Sequence, residues 1–234
     1  MSGLDQGRQL TLGVRLRDDA TFANYHGSHN QDVVERLQQL LLAGQSPILL
    51  CGDVGAGKSH LLQASCAWWE SRGQEAMCLD MLELAAADPA VLQGLETADL
   101  LCLDGLDAVL GSEAWETAIF HLHNRMVDAG HLLLMSASAP PASLPVQLPD
   151  LASRLGASLV LQLARPRDDD RLAILQARAE RRGLVLNDET ARFILRRAPR
   201  GTGELLAILD RLDELSMRAQ RRLTIPFVKA TMDW

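Results

Sequence analysis

Short apolar runs alternate with longer amphipathic segments over the first two thirds of the chain. The apolar runs are PILLC (47–51), AMCLDM (76–81), LLCLD (100–104), HLLLMS (131–136) and SLVLQL (158–163). Their length and composition predict five buried β-strands. Between them, segments such as 59–73 and 113–130 repeat apolar residues every three or four positions, which predicts helices. Strands that alternate with helices predict a parallel sheet with helices on both faces.

The pattern changes after Pro166, where four segments of helical period follow one another without a strand. Asp168 and Asn187 are predicted N-caps of these helices, and Gly183 is a predicted C-cap. The sequence therefore predicts three parts, which are a flexible leader, an α/β core and a small helical lid. Their predicted bounds are 1–20, 21–165 and 166–234.

The stretch GDVGAGKS, residues 52–59, has the spacing of a P-loop and lies between a predicted strand and a predicted helix. In such a loop the glycines let backbone N–H groups turn towards phosphate oxygens. The lysine, Lys58, reaches the β- and γ-phosphates, and the Ser59 hydroxyl is offered to Mg²⁺. The alternative is a glycine-rich turn with a chance lysine. The predicted nucleotide-contacting residues are Gly52, Asp53, Val54, Gly55, Ala56, Gly57, Lys58, Ser59 and His60.

A carboxylate at the end of a neighbouring buried strand would complete this site, and Asp104 follows four apolar residues in LLCLD. It is predicted to hold the metal or a water bound to it. Many ATPases with this scaffold have a glutamate directly after this acid to orient the attacking water, but Gly105 occupies that position. Asp107 is the nearest carboxylate, and two interpretations remain open, a catalytic substitute or a cap of the next turn.

Composition and charge exclude several classes of protein. The 234 residues, 47% hydrophobic and 23% charged, are enough to bury a core, and no apolar run approaches the roughly 20 residues of a membrane span. We expect a cytoplasmic protein without a signal peptide. Residues 1–164 carry a net charge of −11 and residues 165–234 carry +4, which argues against wrapping DNA over the whole surface. The basic part is predicted to be a solvated helical face, with phosphate or an acidic protein face as the alternative.

The four cysteines lie inside apolar segments without close pairing in the sequence. This arrangement is typical of reduced core thiols and argues against a metal site or a set of disulfides. They are Cys51, Cys66, Cys78 and Cys102.

Together these residues resemble the AAA+ ATPases of the DnaA group, and most closely the DnaA homologues that lack a DNA-binding domain. The resemblance covers nearly the whole chain. Its most diagnostic stretches are LPDLASRL (148–155) and AQRRLTIPFVK (219–229). It also rests on QLTLGVRLRDDATFANY (9–25), HLLQASC (60–66) and RGLVLNDETARFIL (182–195).

The resemblance implies roles for particular positions. Arg154 stands where the family has an arginine finger, which acts on the nucleotide of a neighbouring subunit. The segment 22–25 matches residues that pack near the adenine. A peptide that binds the sliding clamp of DNA polymerase matches Gln9, Leu10, Thr11 and Leu12, although Gly13 replaces a frequent proline. The chain ends where DnaA would begin its helix-turn-helix, so we expect contact with DNA only through the clamp.

Two departures from the family bear on catalysis. Ser138 replaces an acidic sensor residue, and Gly203 replaces an arginine that senses phosphate, for which Arg200 is a candidate substitute. We therefore expect bound ADP or ATP with Mg²⁺, weak or absent intrinsic hydrolysis, and stimulation of hydrolysis of DnaA-bound ATP. The alternatives are an autonomous ATPase or loader and a non-catalytic adaptor. The preferred nucleotide and the oligomeric state, including a homo-oligomer, stay open.

Overall fold

The computed structural model describes residues 20–234, and within them a five-stranded sheet forms the centre of the larger domain. The strands are β1 (Ile48–Cys51), β2 (Ala76–Asp80), β3 (Leu100–Asp104), β4 (Leu132–Ala137) and β5 (Leu159–Gln162). Their order in the sheet is β2-β3-β4-β1-β5, and every neighbouring pair is parallel. Each strand lies within one residue of a predicted one, so the predicted parallel α/β sheet is confirmed.

Helices cover both faces of the sheet because successive strand residues point to opposite sides. On one face, Leu50, Leu100 and Leu134 pack against α1 (Gln31–Leu42) and α2 (Lys58–Glu70). On the other face, Leu49, Leu101 and Leu133 pack against two further helices of this domain. The remaining helices of this domain are α3 (Met81–Leu84), α4 (Glu113–Ala129) and α5 (Pro149–Gly156). Short 3₁₀ turns span Phe22–Asn24, Ser28–Asn30, Pro89–Leu92, Leu95–Thr97, Leu106–Ala108 and Pro141–Ser143.

The strand β5 corrects one expectation, because the sequence predicted five buried strands. Leu159 is 39% exposed and Val160 is 42% exposed. Among the described residues, the strand lies at the edge of the sheet and pairs with β1 alone. Its composition matches that of the central strands, so its exposure follows from its place in the sheet order.

The four C-terminal helices pack around a hydrophobic cluster of their own. They are α6 (Asp168–Arg181), α7 (Asp188–Arg197), α8 (Thr202–Ala219) and α9 (Ile225–Met232). Asn187 caps α7 as predicted, since its side chain accepts a hydrogen bond from Thr190 N at 2.8 Å. The prediction for Asp168 is wrong, because the N-cap of α6 is Arg167 and Asp168 is the first helical residue. We call the domain formed by α6–α9 the lid.

The thiols are closer together than the sequence indicated. Cys66 Sγ on α2 lies 3.4 Å from Cys102 Sγ on β3, although both residues are buried as expected of core thiols. Within residues 20–234, no group of three or more His, Cys, Asp or Glu side chains is arranged to hold a metal ion. No helix of this part of the chain is long and apolar enough to cross a bilayer.

Candidate nucleotide site and arginine finger

The loop between β1 and α2 depends on glycine for its path. Gly57, the N-cap of α2, has φ +96°, a left-handed conformation that suits glycine. A Cβ atom at this position would lie 2.5 Å from Cε2 of Tyr25. The Tyr25 hydroxyl also donates a hydrogen bond to Ala56 O at 3.0 Å. The aromatic ring and the loop therefore fix one another.

Lys58 turns back into this loop. Its ammonium donates hydrogen bonds to Gly52 O and, at 3.0 Å, to Asp53 O. Burial lowers the pKa of Lys58, and the nearby carboxylates of Asp107, Asp104 and Asp53 oppose that shift. A half-buried ammonium beside loop carbonyls gains from a bound anion, which is the chemistry expected of a phosphate site.

The loop forms the floor of a cavity of about 300 Å³ between the core and the lid. This volume is at the lower limit of ligand pockets in proteins. The walls come from three segments, which are the chain before α1, the face of α6 and the start of α8. The lining residues outside the loop are Asn24, Tyr25, His26, Pro166, Ile174, Ala177, Arg178, Arg181, Thr202, Gly203 and Leu206.

Two helices direct their N-termini at this cavity, one from each domain. The helix α2 begins at Lys58, and α8 begins at Thr202, whose hydroxyl donates to Gly55 O at 3.2 Å. Unpaired N–H groups and the helix dipole make a helix N-terminus favourable for anions. The lid therefore adds to the phosphate site at the position where Gly203 replaces the arginine of the family.

A buried polar network connects the core to the lid beside the cavity. The Asn30 side chain donates to Ala164 O and to the Tyr25 hydroxyl, and it accepts from Ala164 N. Asp170 of α6 accepts from Ser28 N and Arg167 N, both at 2.9 Å. Burial alone would raise the pKa of Asp170, yet these hydrogen bonds hold it below its ordinary value.

The candidate metal ligands lie at the ends of neighbouring elements. Asp104 accepts a hydrogen bond from Ser136 Oγ at 2.6 Å and another from the Ser59 side chain. Burial raises the pKa of Asp104, and these two hydrogen bonds oppose the shift. A hydroxyl and a carboxylate in contact beside a phosphate loop fit Mg²⁺, which binds one or two protein oxygens plus phosphate and water.

Asp107 lies close to this site but is already hydrogen-bonded. Its two carboxylate oxygens accept from Ser138 Oγ at 2.6 Å and Ser138 N at 2.8 Å. It therefore caps the end of β4, and not the next turn as one of the two sequence interpretations had it. Gly105, with φ +78°, carries no side chain to orient a water.

Arg154 occupies a different surface. The helix α5 that carries it packs on α4, on the opposite face of the sheet from α2. Arg154 itself lies in the last turn of α5. Its side chain is exposed, and within residues 20–234 it forms no ion pair or side-chain hydrogen bond. Burial, and then the charge of Arg154, lower the pKa of the nearby His123.

Comparison with known families separates the lid from the core. Residues 168–232 match the family model described as "Hda, lid domain". The smaller domain is therefore similar to the lid domain that this model describes. This match begins at the first residue of α6 and covers all four helices of the lid.

The match to solved structures of similar fold extends over both domains of this chain. Domain III of the replication initiation protein DnaA from Thermotoga maritima has a TM-score of 0.79 and 19% identity, over 92% of this chain and 96% of that one. AMPPCP-bound DnaA from Aquifex aeolicus has a TM-score of 0.69 and 23% identity, over 86% and 67%. The RuvB Holliday junction branch migration motor of Thermotoga maritima has a TM-score of 0.64 and 19% identity, over 91% and 73%. The chain has the AAA+ fold, and its helices α6–α9 match the Hda lid model, so the resemblance to DnaA homologues is confirmed.

The structure brings most of the predicted nucleotide contacts together and leaves others apart. The segment Val54–His60 lines the cavity, while Phe22 instead packs edge-on against Trp68 at 5.7 Å between ring centroids. Arg200 is exposed and is not among the lining residues. The predicted clamp peptide, Gln9 to Leu12, lies outside the described residues.

Sequence reasoning missed the side chains that the Hda-type lid supplies. Arg178 and Arg181 line the cavity together with Ile174 and Ala177 of α6. These four positions have the spacing of one helical face, which the sequence does contain. This helical face was not recognised because the basic lid was interpreted as a solvated surface.

Proposed function

We propose that this chain regulates the initiation of DNA replication by stimulating hydrolysis of the ATP bound to DnaA. In this proposal the chain holds ADP or ATP with Mg²⁺ in its own cavity. Arg154 acts as an arginine finger on the nucleotide of DnaA. The observation that carries the proposal is the exposed Arg154 guanidinium, which has no ion-pair partner in residues 20–234 and lies on a different surface from the chain's own phosphate loop.

The chemistry of phosphoryl transfer supports this role. Negative charge develops on the γ-phosphate oxygens in the transition state, and a guanidinium supplied from a neighbouring molecule stabilises it. An arginine held by an internal ion pair would have to break that pair before docking. Within residues 20–234, Arg154 has no such pair to break, so its charge is available to a partner.

The cavity supports a holding role for the chain's own nucleotide. The Lys58 ammonium, the two helix N-termini and the Ser59–Asp104 pair supply contacts for phosphates and Mg²⁺. Gly105 offers no carboxylate for an attacking water, and both oxygens of Asp107 are engaged by Ser138. These features favour binding over hydrolysis at this site.

Two partners complete the proposal. DnaA is the expected ATP-bearing partner because the lid is of the Hda type and the fold is that of DnaA domain III. The sliding clamp is the second, through Gln9, Leu10, Thr11 and Leu12 of the leader, so that the chain acts next to replicated DNA without binding it directly.

One observation favours a second function, an autonomous ATPase. Of the carboxylates near Lys58, Asp107 attracts its ammonium most strongly. It therefore lies close enough to the phosphate loop to take part in hydrolysis there. In that case hydrolysis would be rapid without any partner.

Rates of ATP hydrolysis separate these functions. The chain alone, DnaA alone and the two together are measured with and without clamp-loaded DNA, with labelled ATP bound to DnaA beforehand. We expect conversion of the labelled ATP to ADP only when chain, DnaA and loaded clamp are all present. Rapid hydrolysis by the chain alone would support the autonomous ATPase, and no conversion under any condition would leave only a non-catalytic adaptor.

A further inference from the structure

A fully buried carboxylate lies beneath the helix that carries Arg154. Glu116, on the first turn of α4, has no solvent exposure and is flanked by the buried residues Trp115 and Ile119. A buried carboxylate is costly unless hydrogen bonds replace the lost water. Its partners therefore indicate what the side chain does.

Within residues 20–234, the partners of the Glu116 side chain are backbone N–H groups from two separate loops. Oε1 accepts from Gly111 N at 2.7 Å, and Oε2 accepts from Leu148 N at 2.6 Å. Both oxygens accept from Gln147 N, at 3.1 Å and 2.9 Å. Hydrogen bonds to an ionised acceptor are stronger than neutral ones, so this side chain joins the two loops firmly.

Each of these loops leads to one of the two functional regions. Gly111 closely follows the Leu106–Ala108 turn, which contains Asp107 beside the phosphate loop. Leu148 is the N-cap of α5, and Arg154 lies six residues further along that short helix. Because α5 has only eight residues, fixing its N-terminus fixes the direction in which Arg154 projects.

We infer that Glu116 is a positioning residue that sets the orientation of α5, and through it Arg154, relative to the loop beside the chain's own nucleotide site. It touches neither nucleotide and acts through Arg154. The inference rests on the proposed function of Arg154. It adds a physical connection between the loop beside the nucleotide site and α5, through which a change at one site alters the other.

The variant Glu116→Gln tests this connection with the smallest change of shape. One of its two terminal atoms becomes an NH₂ group, a donor. Whichever way the amide turns, that NH₂ faces two backbone N–H groups, either those of Gly111 and Gln147 or those of Gln147 and Leu148. Glu113→Gln is the matched control, because Glu113 is exposed on the same turn of α4.

The first measurement is the stimulated hydrolysis of DnaA-bound ATP as the concentration of the chain is varied. With Glu116→Gln we expect the maximal rate to fall about 10- to 100-fold, because a small misplacement of a catalytic group has effects of this size. The concentration that gives half the maximal rate should change less than about twofold, because the docking surface is kept. Glu113→Gln should behave as wild type. A maximal rate for Glu116→Gln within twofold of wild type would overturn the inference.

A double substitution distinguishes positioning from a general structural role. If Glu116 acts through Arg154, adding Glu116→Gln to Arg154→Ala should lower the rate no further. A further loss of more than threefold would mean that Glu116 acts by another route, and the inference would be wrong. Each variant is assayed well below its own midpoint of thermal unfolding.

A third measurement does not depend on the proposed function. A nitroxide spin label is attached to Arg154→Cys, with wild type treated in parallel to measure reaction at the native cysteines. We expect the label to become more mobile when Glu116→Gln is added and to stay unchanged with Glu113→Gln. Equal mobility in all three would overturn the inference. If stimulation by wild type fails but the mobility changes as expected, only the proposed function is lost.

Discussion

The nucleotide cavity and the Arg154 surface handle positive charge in opposite ways. In the cavity, Lys58 is half-buried and its ammonium is held by loop carbonyls, with carboxylates around it. On α5, Arg154 is exposed and has no ion pair within the described residues, while the backbone before it is fixed by Glu116. The first arrangement suits an anion bound inside one molecule. In the proposed function, the second presents a cation, on a rigid support, to another molecule.

The largest expected effect changes the activity of the Arg154 surface and leaves nucleotide binding in the cavity unchanged. Arg154→Ala should lower stimulated hydrolysis of DnaA-bound ATP by roughly 10³- to 10⁵-fold, the usual contribution of an arginine finger. Nucleotide binding by the chain and its thermal midpoint should not change, since the exposed side chain supports neither. The measurement is conversion of labelled ATP on DnaA in the presence of clamp-loaded DNA.

Two controls sharpen this result. Arg154→Lys should restore little activity, because a point charge lacks the planar fork of the guanidinium. Arg36→Ala removes an exposed arginine from α1 and should have no effect. Equal conversion by wild type and Arg154→Ala would remove Arg154 from the mechanism.

The next effect concerns a segment that belongs to neither region. The double substitution Gln9→Ala with Leu10→Ala should weaken clamp binding by at least about 100-fold, because a few anchors dominate the affinity of a short peptide. The thermal midpoint should stay nearly constant. Clamp pull-down and calorimetry measure the two quantities. Binding that persists in the double variant would contradict the peptide assignment.

A smaller effect is expected inside the cavity. Lys58→Ala should weaken binding of ADP or ATP by roughly 10- to 100-fold, the value of one or two hydrogen bonds between charged groups. Without nucleotide its thermal midpoint should be no lower than that of wild type, because burial disfavours the charged ammonium. Titration with a fluorescent nucleotide and thermal melts test both statements. Unchanged affinity would contradict the assignment of this loop.

The smallest effect concerns Asp170, which belongs to the polar network between the core and the lid. Asp170→Asn should lower the free energy of unfolding by about 1–3 kcal/mol at neutral pH, because an amide cannot accept both backbone N–H groups without presenting a donor to one of them. The exposed neighbour Asp169→Asn is the control. Urea unfolding provides the free energies.

The pH dependence of this effect has a definite sign. The pKa of Asp170 is lower in the folded chain than its ordinary value, so its contribution to stability is present above the unfolded pKa of about 4. That contribution is lost as the pH falls through the lower, folded pKa. The difference between wild type and Asp170→Asn should therefore shrink below about pH 4. A difference that grows there would contradict the shift.

The features that the sequence predicted correctly depend on residues that are close together in the chain. The strands were recognisable because each is a short apolar run between polar segments, and the phosphate loop because eight consecutive residues contain it. The exposure of β5 could not be predicted, because the order of strands in a sheet is a long-range property. The helix α1 was not singled out either, although Val34, Leu37 and Leu41 form its buried face.

Only the part of the candidate site that belongs to the core was predicted from the sequence. Its floor is local in sequence, but its lid contacts bring Thr202 to within hydrogen-bonding distance of Gly55, 147 residues earlier. Arg178 and Arg181 line the cavity for the same reason, since only the packed lid places that face of α6 over the loop. The hydrogen bonds of Asp107 to Ser138 required the pairing of β3 with β4, which the sequence does not specify residue by residue.

If the cavity where the two helix N-termini meet binds a nucleotide as proposed, the stability of the chain depends on the nucleotide supply. A ligand that binds only the folded chain adds stability by mass action, about 2.7 kcal/mol when its concentration is 100 times its dissociation constant. Proteases remove chains that open transiently, so a change of this size alters abundance several-fold. A cell depleted of adenine nucleotides would then degrade this protein faster, with no change in its synthesis.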